Sequence, residues 1–474
     1  MKALLQLSAR DLFSVEGRVT RAQYLQVGVL FMAFKYLVDV VVIYLSASEF
    51  WHPLAYFSPL VSTRESLLDG NLEWVYIGLV VWALPFLWVG LTMTVKRARD
   101  AGRSPMLGLL FLVPVFNLLT IGYLSVAPTS TVDTRYDPSG SPVAAPMSRV
   151  TAALLGSALG VLIAAAMTLI SVLLLQEYGM VVFVSTPAIM GAVASWFYNR
   201  AADRGLAGSL GVTALTMCIS AGCLLAFALE GVICLLMAMP LVLVLGCIGG
   251  VIGRAIARSG HAAMKQMLVL CLTLPLAAAA ESQLPRDLQE REVISSVIVN
   301  APPAAVWPNV VGFSELDAPP AWIYEIGVAY PIRARIEGEG VGAVRHCEFS
   351  TGAFVEPITA WDAPYRLSFD VESQPVPMHE WSPYRHVHPP HLDGYLRSHR
   401  GEFRLIDLGD GRTRLEGSTW YTVDLAPASY WSLWSDALIH GIHTRVLAHV
   451  AELSESGHAS VPSAVLDVQR QRVE

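Results

Sequence analysis

The 474-residue chain is 54% hydrophobic and only 15% charged, against roughly 25% charge in ordinary water-soluble domains, which excludes an all-soluble protein and places part of the chain in lipid. A net charge of −7 with no clustered Lys/Arg stripe argues against a phosphate backbone, so no nucleic-acid partner is expected. Cys218, Cys223, Cys234, Cys247 and Cys271 lie in apolar runs, Cys347 stands alone in the second half, and no C-x-x-C pair occurs. Neither disulfides nor thiolate metal sites are expected.

Crossing the hydrocarbon layer takes about 20 apolar residues, and such runs lie near 23–45, 74–95, 150–175, 180–197, 208–228, 231–253 and 264–280. An eighth run, 105–127, is broken by Pro114 and Asn117 and reads as a re-entrant segment that enters and leaves on one side. Lys2, Arg10, Arg18 and Arg21, then Lys96, Arg97, Arg99 and Arg103, mark the cytoplasmic ends, whereas loop 46–73 is acidic. With 105–127 re-entrant, Arg200, Arg204, Arg254 and Arg258 also fall inside, and everything after the seventh span falls outside the cytoplasm. The stretch KQMLVLCLTLPLAAAAESQ from Lys265 has the basic start, short apolar core and small-residue end of an export signal and points the same way. Within the first span, Lys35 and Asp39 are four apart and share a helix face, the spacing of a structural ion pair, with an ion or proton path as the alternative. Glu230 reads as the cap of a tight turn between spans.

Leu12–Leu25 (LFSVEGRVTRAQYL) and Val95–Asn117 (VKRARDAGRSPMLGLLFLVPVFN) together resemble the bacterial inner-membrane family known as domain of unknown function 805. Phe13, Gly17, Arg18, Thr20 and Arg21 match its entry signature. Arg97, Asp100, Gly102, Arg103 and Ser104 match its loop signature, while Pro105-Met106 and TRYDPSG from Thr134 depart from the pattern. The resemblance implies an inner-membrane location for about residues 1–140 and no chemistry. From the residues themselves, the loop can close a turn through Asp100 and bind lipid phosphates through its arginines; the plainer alternative is topology plus turn.

From Arg291 the pattern changes to β-rich segments. REVISSVIV ends at Pro302-Pro303, which opens a helix carrying Trp307. YPIRARIEG, GAVRHCEFST, GAFVEPITAWDA, YRLSFDVES, RGEFRLIDLGDG and RTRLEGSTWYTVDL follow as strands, with Asp410-Gly411 as a hairpin turn and a long helix from about Pro427 to Leu453. The whole is an all-α polytopic membrane region followed by an α+β helix-grip domain, a curved antiparallel sheet around a long C-terminal helix. The expected units are 1–140, 141–282, 283–456 and a disordered tail, 457–474.

The NAPPAAVW opening, VGAVRHCEFSTGAFVEPITAWDAPYRLSFDV and the closing WSDALIHGIHTRVL resemble the START/polyketide-cyclase (SRPBCC) superfamily over about residues 291–455. That resemblance implies a cavity for lipids, sterols, polyketides or other hydrophobic molecules; some members bind and some catalyse.

Nine of the twelve histidines lie within residues 291–455, and His386, His388, His391 and His399 fall within fourteen positions. Residues 374–391 hold five prolines together with Trp381 and Tyr384, so this stretch reads as a stiff rim or lid over the cavity. Histidines polarising a ligand, or a metal held with Glu380 or Asp393, are the alternatives. On a wheel of about 100° per residue from Trp431, the apolar stripe Trp431, Trp434, Leu438, Ile442 and Leu453 spans about −60° to +40°. His443 at about 120° and His440 at about 180° lie off it and could share a ligand. Trp381, Tyr384, the four clustered histidines, Trp420, Trp434 and Leu438 are the expected cavity or rim residues. Arg345 and Glu356 join them if their faces point inward, and otherwise read as solvated strand residues. No G-x-S-x-G, H-E-x-x-H, phosphate-cradling loop or kinase pattern is present. The expectation is therefore a membrane-tethered binding module for a lipid-like molecule, without cofactor or metal. A cyclase or hydrolase, or an envelope interaction protein, are the alternatives.

Overall fold

Thr20 sets the start of the first long helix: its hydroxyl accepts from Gln23 N at 3.3 Å while the Gln23 side chain accepts from Thr20 N at 3.0 Å, a reciprocal capping box. In the computed structural model, which describes residues 12–56, 73–112, 116–130, 148–259, 263–286, 288–316, 318–384 and 388–456, this helix is α1 (Arg21–Ala47). It is followed by α2 (Glu73–Asp100), α3 (Phe116–Val126), α4 (Arg149–Met167), α5 (Thr186–Asn199), α6 (Leu206–Ala226), α7 (Val232–Arg258) and α8 (Ala263–Glu281). Among the described residues seven helical stretches, 21–47, 78–100, 149–174, 181–199, 206–226, 232–258 and 264–281, are long and apolar enough to cross a membrane. Val29, Leu37, Leu45, Leu236 and Leu276 stay exposed on them, as side chains facing lipid do. The chain is a multi-pass membrane protein.

The segment after α2 is a 3-10 stretch, Pro105–Leu112, and then α3. It leaves and returns to the same end of α2, because Ser130 N donates to Asp100 O at 2.8 Å, the geometry a re-entrant segment requires. Arg97, fully buried, makes this closure: its guanidinium pairs with Asp100 and reaches Leu124 O at 3.1 Å and Ala127 O. The arginine thus satisfies carbonyls that the end of α3 leaves open. Gly102, at φ +65°, ends α2 in the left-handed conformation, and a Cβ there would press on Ser130. The Arg97–Ser104 motif is in these respects a structural clasp, with Arg97 committed internally and not offered to lipid phosphates. Lys35 and Asp39 are paired, and the Tyr56 hydroxyl donates to Asp39 at 3.0 Å, closing the pair inside the bundle.

The second half begins with β1 (Arg291–Val299) and α9 (Pro303–Val311) and continues through β2 (Pro331–Glu337), β3 (Val344–Phe349), β4 (Gly352–Asp362), β5 (Arg366–Asp370), β6 (Leu396–Asp407) and β7 (Thr413–Val423). The order β1-β7-β6-β5-β4-β3-β2 is antiparallel throughout. The sheet curls as a half-barrel around α10 (Ala428–Glu455), and Leu367, Phe369, Leu405 and Leu415 pack on Val446, Leu447 and Val450. This is the helix-grip architecture. The β6–β7 turn falls at Asp410-Gly411 with φ +82° at Gly411, as a tight hairpin demands. The tail 457–474 lies outside the described residues.

The helix-grip half sits on one end of the bundle, against the α6–α7 turn and the Tyr178 connection between α4 and α5. The arginine-bearing turns lie at the other end of those helices, where Arg254 pairs with Asp203 at 2.8 Å.

Candidate functional site

The proline-rich loop is fastened to the start of α7. Its Glu380 carboxylate accepts from Ile233 N at 3.0 Å and Cys234 N at 3.1 Å, and Trp381 O accepts from Val232 N at 2.9 Å. These amides are the donors a helix N-terminus leaves unsatisfied, and a carboxylate there is also favoured by the helix dipole. Tyr384 is buried and its hydroxyl donates to Ala226 O, at the end of α6. Glu380 therefore performs the capping expected of Glu230. Gly231 makes room for it, since a Cβ would strike the Glu380 carboxylate.

Beneath this clamp lies a cavity of about 260 Å³. Met190 of α5, Met217 of α6 and Met237 of α7 wall one side; Phe354 of β4, Trp431 and Leu438 of α10 wall the other. Cavities of this kind, mostly apolar with a few convergent polar groups, are where small molecules bind. The polar group here is a cluster. His391 Nε2 is 2.8 Å from Cys234 Sγ and its Nδ1 is 3.6 Å from Glu230 Oε2, while Tyr178 OH lies 3.5 Å from Glu230 Oε1. Tyr178 meets the His391 ring edge-on with centroids 5.1 Å apart. Burial, reinforced by the Glu380 charge, pushes the Glu230 carboxyl up to about 8. Burial, reinforced by His388, brings His391 down to about 4. Around neutral pH the carboxyl is then largely protonated and the imidazole neutral.

A second cavity of about 120 Å³ lies deeper, between the sheet and α10, and shares Phe349, Phe354, Ser398, Ile439 and Ile442 with the first. Arg345 and Glu356, opposite each other in the β3–β4 register, form an ion pair in its wall at 2% and 5% exposure. Phe313, Phe369 and Phe403 surround the guanidinium at 5.7, 5.2 and 5.6 Å. The reading of this pair as solvated strand residues is therefore corrected: their side of the sheet is the concave one.

His443 also lines this inner cavity. Ser295 Oγ on β1 lies 2.7 Å from His440 Nδ1 and 3.1 Å from His443 Nδ1, and Thr419 Oγ1 lies 2.7 Å from His443 Nε2. Burial, and then His440, lowers His443 to about 4. The two histidines thus face the sheet, contrary to the wheel reading. The face of α10 buried on the sheet carries Ser432, Val446, Leu447, Val450, Ala451 and Ser454, centred at about 130° on that wheel. The more apolar side, with Leu438 and Ile442, packs toward Ile233 and Met237 of α7 and Met378 of the loop.

Of the expected rim residues, His391 and Leu438 line the outer cavity. Trp381 is exposed and acts through its carbonyl. His388 is half-exposed and bonded to Asp393 at 2.8 Å, and His399, on β6, bonds Thr422 at 2.9 Å. Trp420 lies under Arg400, Trp434 packs with Trp431 and Ile439, and His386 is outside the described residues. Sequence reading missed Cys234 and Tyr178 altogether, because their partners are 157 and 52 positions away. The one available signal was an acidic residue and a cysteine four apart where a span begins.

Residues 12–138 match the family model described as "Protein of unknown function (DUF805)". No curated protein matches the chain significantly. Among solved structures, an aromatase/cyclase from Streptomyces is similar at 19% identity over 35% of this chain and 94% of its own, with a TM-score of 0.24. A norcoclaurine synthase point mutant from Thalictrum flavum, in complex with a transition-state analogue, is similar at 12% identity over 36% of this chain and 99% of its own, TM-score 0.25. A protein from Nitrosospira multiformis is similar at 20% identity over 34% and 95%, TM-score 0.23. The helix-grip assignment itself rests on the strand order and helix placement described above.

Proposed function

We propose that this protein binds a hydrophobic, lipid-like molecule in the cavity between its membrane helices and its helix-grip half. The observation that carries this reading is the origin of the walls: Met190, Met217 and Met237 come from membrane helices, Phe354, Trp431 and Leu438 from the helix-grip half. A sparingly soluble ligand would pass between bilayer and cavity over a short path. The full-length protein, extracted in mild detergent, is expected to retain a lipid-like ligand detectable by native mass spectrometry. Ala238→Trp, which fills the cavity from α7, is expected to cut that occupancy at least tenfold without lowering the thermal unfolding midpoint. Equal occupancy in both proteins would refute the cavity as the binding place.

The helix-grip half is proposed to be extracytoplasmic on a bacterial inner membrane, with residues 1–140 and 141–282 as its anchor. In support, it sits on the bundle end away from Arg200, Arg204, Arg254 and Arg258. A periplasm-active phosphatase reporter fused after Glu474 should be active and a cytoplasm-active one silent; the reverse pattern sinks this orientation.

A further inference from the structure

We propose that Glu230, Cys234 and His391 form a binding site for a divalent d-block metal ion of the zinc class, set where the rim loop meets the start of α7. One donor atom from each lies within 4.8 Å of the other two, and thiolate, imidazole and carboxylate are the donors zinc takes. The independent pointer is a pair of unsatisfied atoms. Glu230 Oε2 and His391 Nδ1 are buried with no hydrogen-bond partner, on side chains only 12% and 10% exposed. Buried polar atoms are rarely left in that state, and a cation would satisfy them.

Charge favours a metal over a catalytic thiol. The spacing Cys234 Sγ to Nε2 and Nδ1 to Glu230 has the form of a nucleophile, base and orienting acid. Yet the Glu380 carboxylate, hydrogen-bonded to Cys234 N at 3.1 Å, sits on the same turn as the sulfur, and negative charge there disfavours a lone thiolate nucleophile while it stabilises a dication. Glu380 fixes the main chain at Cys234 and Tyr178 holds the other Glu230 oxygen, the outer contacts that orient metal ligands. The 3.6 Å between His391 Nδ1 and Glu230 Oε2 is near the roughly 3.4 Å that separates two tetrahedral ligands at ordinary zinc distances, and a change of the Cys234 side-chain torsion would carry the sulfur to the same ion. Three protein donors leave a fourth position, and because all three residues line the outer cavity that position faces its interior, as in open zinc sites. The ion would also pin the rim loop to the membrane helix. This departs from the metal-free expectation drawn from sequence, and it stands whether or not the cavity holds a lipid.

The test uses the full-length protein in detergent, stripped with a chelator and then titrated with Zn²⁺ or Co²⁺ alone. One ion per chain is expected, with thiolate-to-cobalt charge-transfer absorption. Cys234→Ser should abolish that band, His391→Gln should weaken affinity at least tenfold, and Cys347→Ser, which alters a buried thiol elsewhere, should change neither. Should the first two variants fail to fold, alkylation of the wild-type chain decides: zinc is expected to protect Cys234 from iodoacetamide at least tenfold. Absence of a stoichiometric ion in the wild type, a charge-transfer band that survives Cys234→Ser, or unchanged Cys234 alkylation with zinc overturns the site.

Discussion

Glu356→Ala is expected to strip the helix-grip half of about 3–5 kcal/mol of stability, a large share of the roughly 5–15 kcal/mol a domain commonly has. The deletion leaves the Arg345 guanidinium at 2% exposure between three phenylalanine rings, with its carboxylate partner gone. The rings contribute cation–π attraction in wild type and variant alike, and they cannot accept the hydrogen bond that Glu356 accepts. Removing both charges should behave differently, because an apolar pair of similar volume has no desolvation cost to offset. Arg345→Met with Glu356→Leu is thus expected to recover most of the loss. Unfolding of the full-length protein followed by tryptophan fluorescence checks this. A Glu356→Ala midpoint within a degree or two of wild type, or a double variant as unstable as the single one, would contradict the account.

Gly249→Leu is expected to prevent assembly of the membrane bundle. Helices α5 and α7 touch backbone to backbone along a run of glycines: a Cβ at Gly249 would overlap Ala188 O, one at Gly253 would overlap Ala192 O, and one at Gly191 would overlap Gly246 O. In lipid no hydrophobic drive holds helices together, so close backbone approach through small residues carries the association. A carbonyl fixed inside a helix cannot step aside as a flexible side chain can. Because α5 and α7 also carry Met190 and Met237 of the outer cavity, their separation would dismantle the proposed binding place. The yield of monodisperse, detergent-extracted protein should fall more than tenfold. Gly222→Leu on α6, where an added Cβ meets nothing within 4 Å, should extract like wild type. A well-behaved Gly249→Leu protein would show the contact to be dispensable.

Much of the architecture is local and so could be read along the chain. Span length depends only on the number of consecutive apolar residues, which is why the seven expected runs reappear as helices with ends moved by a few positions. The strands from Arg291 onward follow from two-residue alternation and turn residues such as Asp410-Gly411, and Arg97 to Ser104 carries its family resemblance in a single stretch. The site was legible only in part. The proline content marks the irregular loop, but of the four clustered histidines, one of them on β6, only His391 reaches the outer cavity among the described residues.

What the sequence by itself determined, then, is what short-range spacing controls: which segments cross lipid, which form strands, and where the irregular loop lies. The tertiary structure decided which neighbour each face meets. A wheel gives the angle between His443 and Leu438 but not that α10 turns His443 to the sheet and Leu438 to the membrane helices. Alternation places Arg345 and Glu356 on a common face of their strands, but only the curl of the sheet makes that face the interior and turns a surface pair into a buried one. Glu230, Cys234 and His391 are brought together solely because Glu380 seats the loop on the first turn of α7, a contact between residues 147 positions apart. Burial and charge, which govern whether such groups bind a proton or a metal, are properties of that packed environment and have no counterpart in the local pattern.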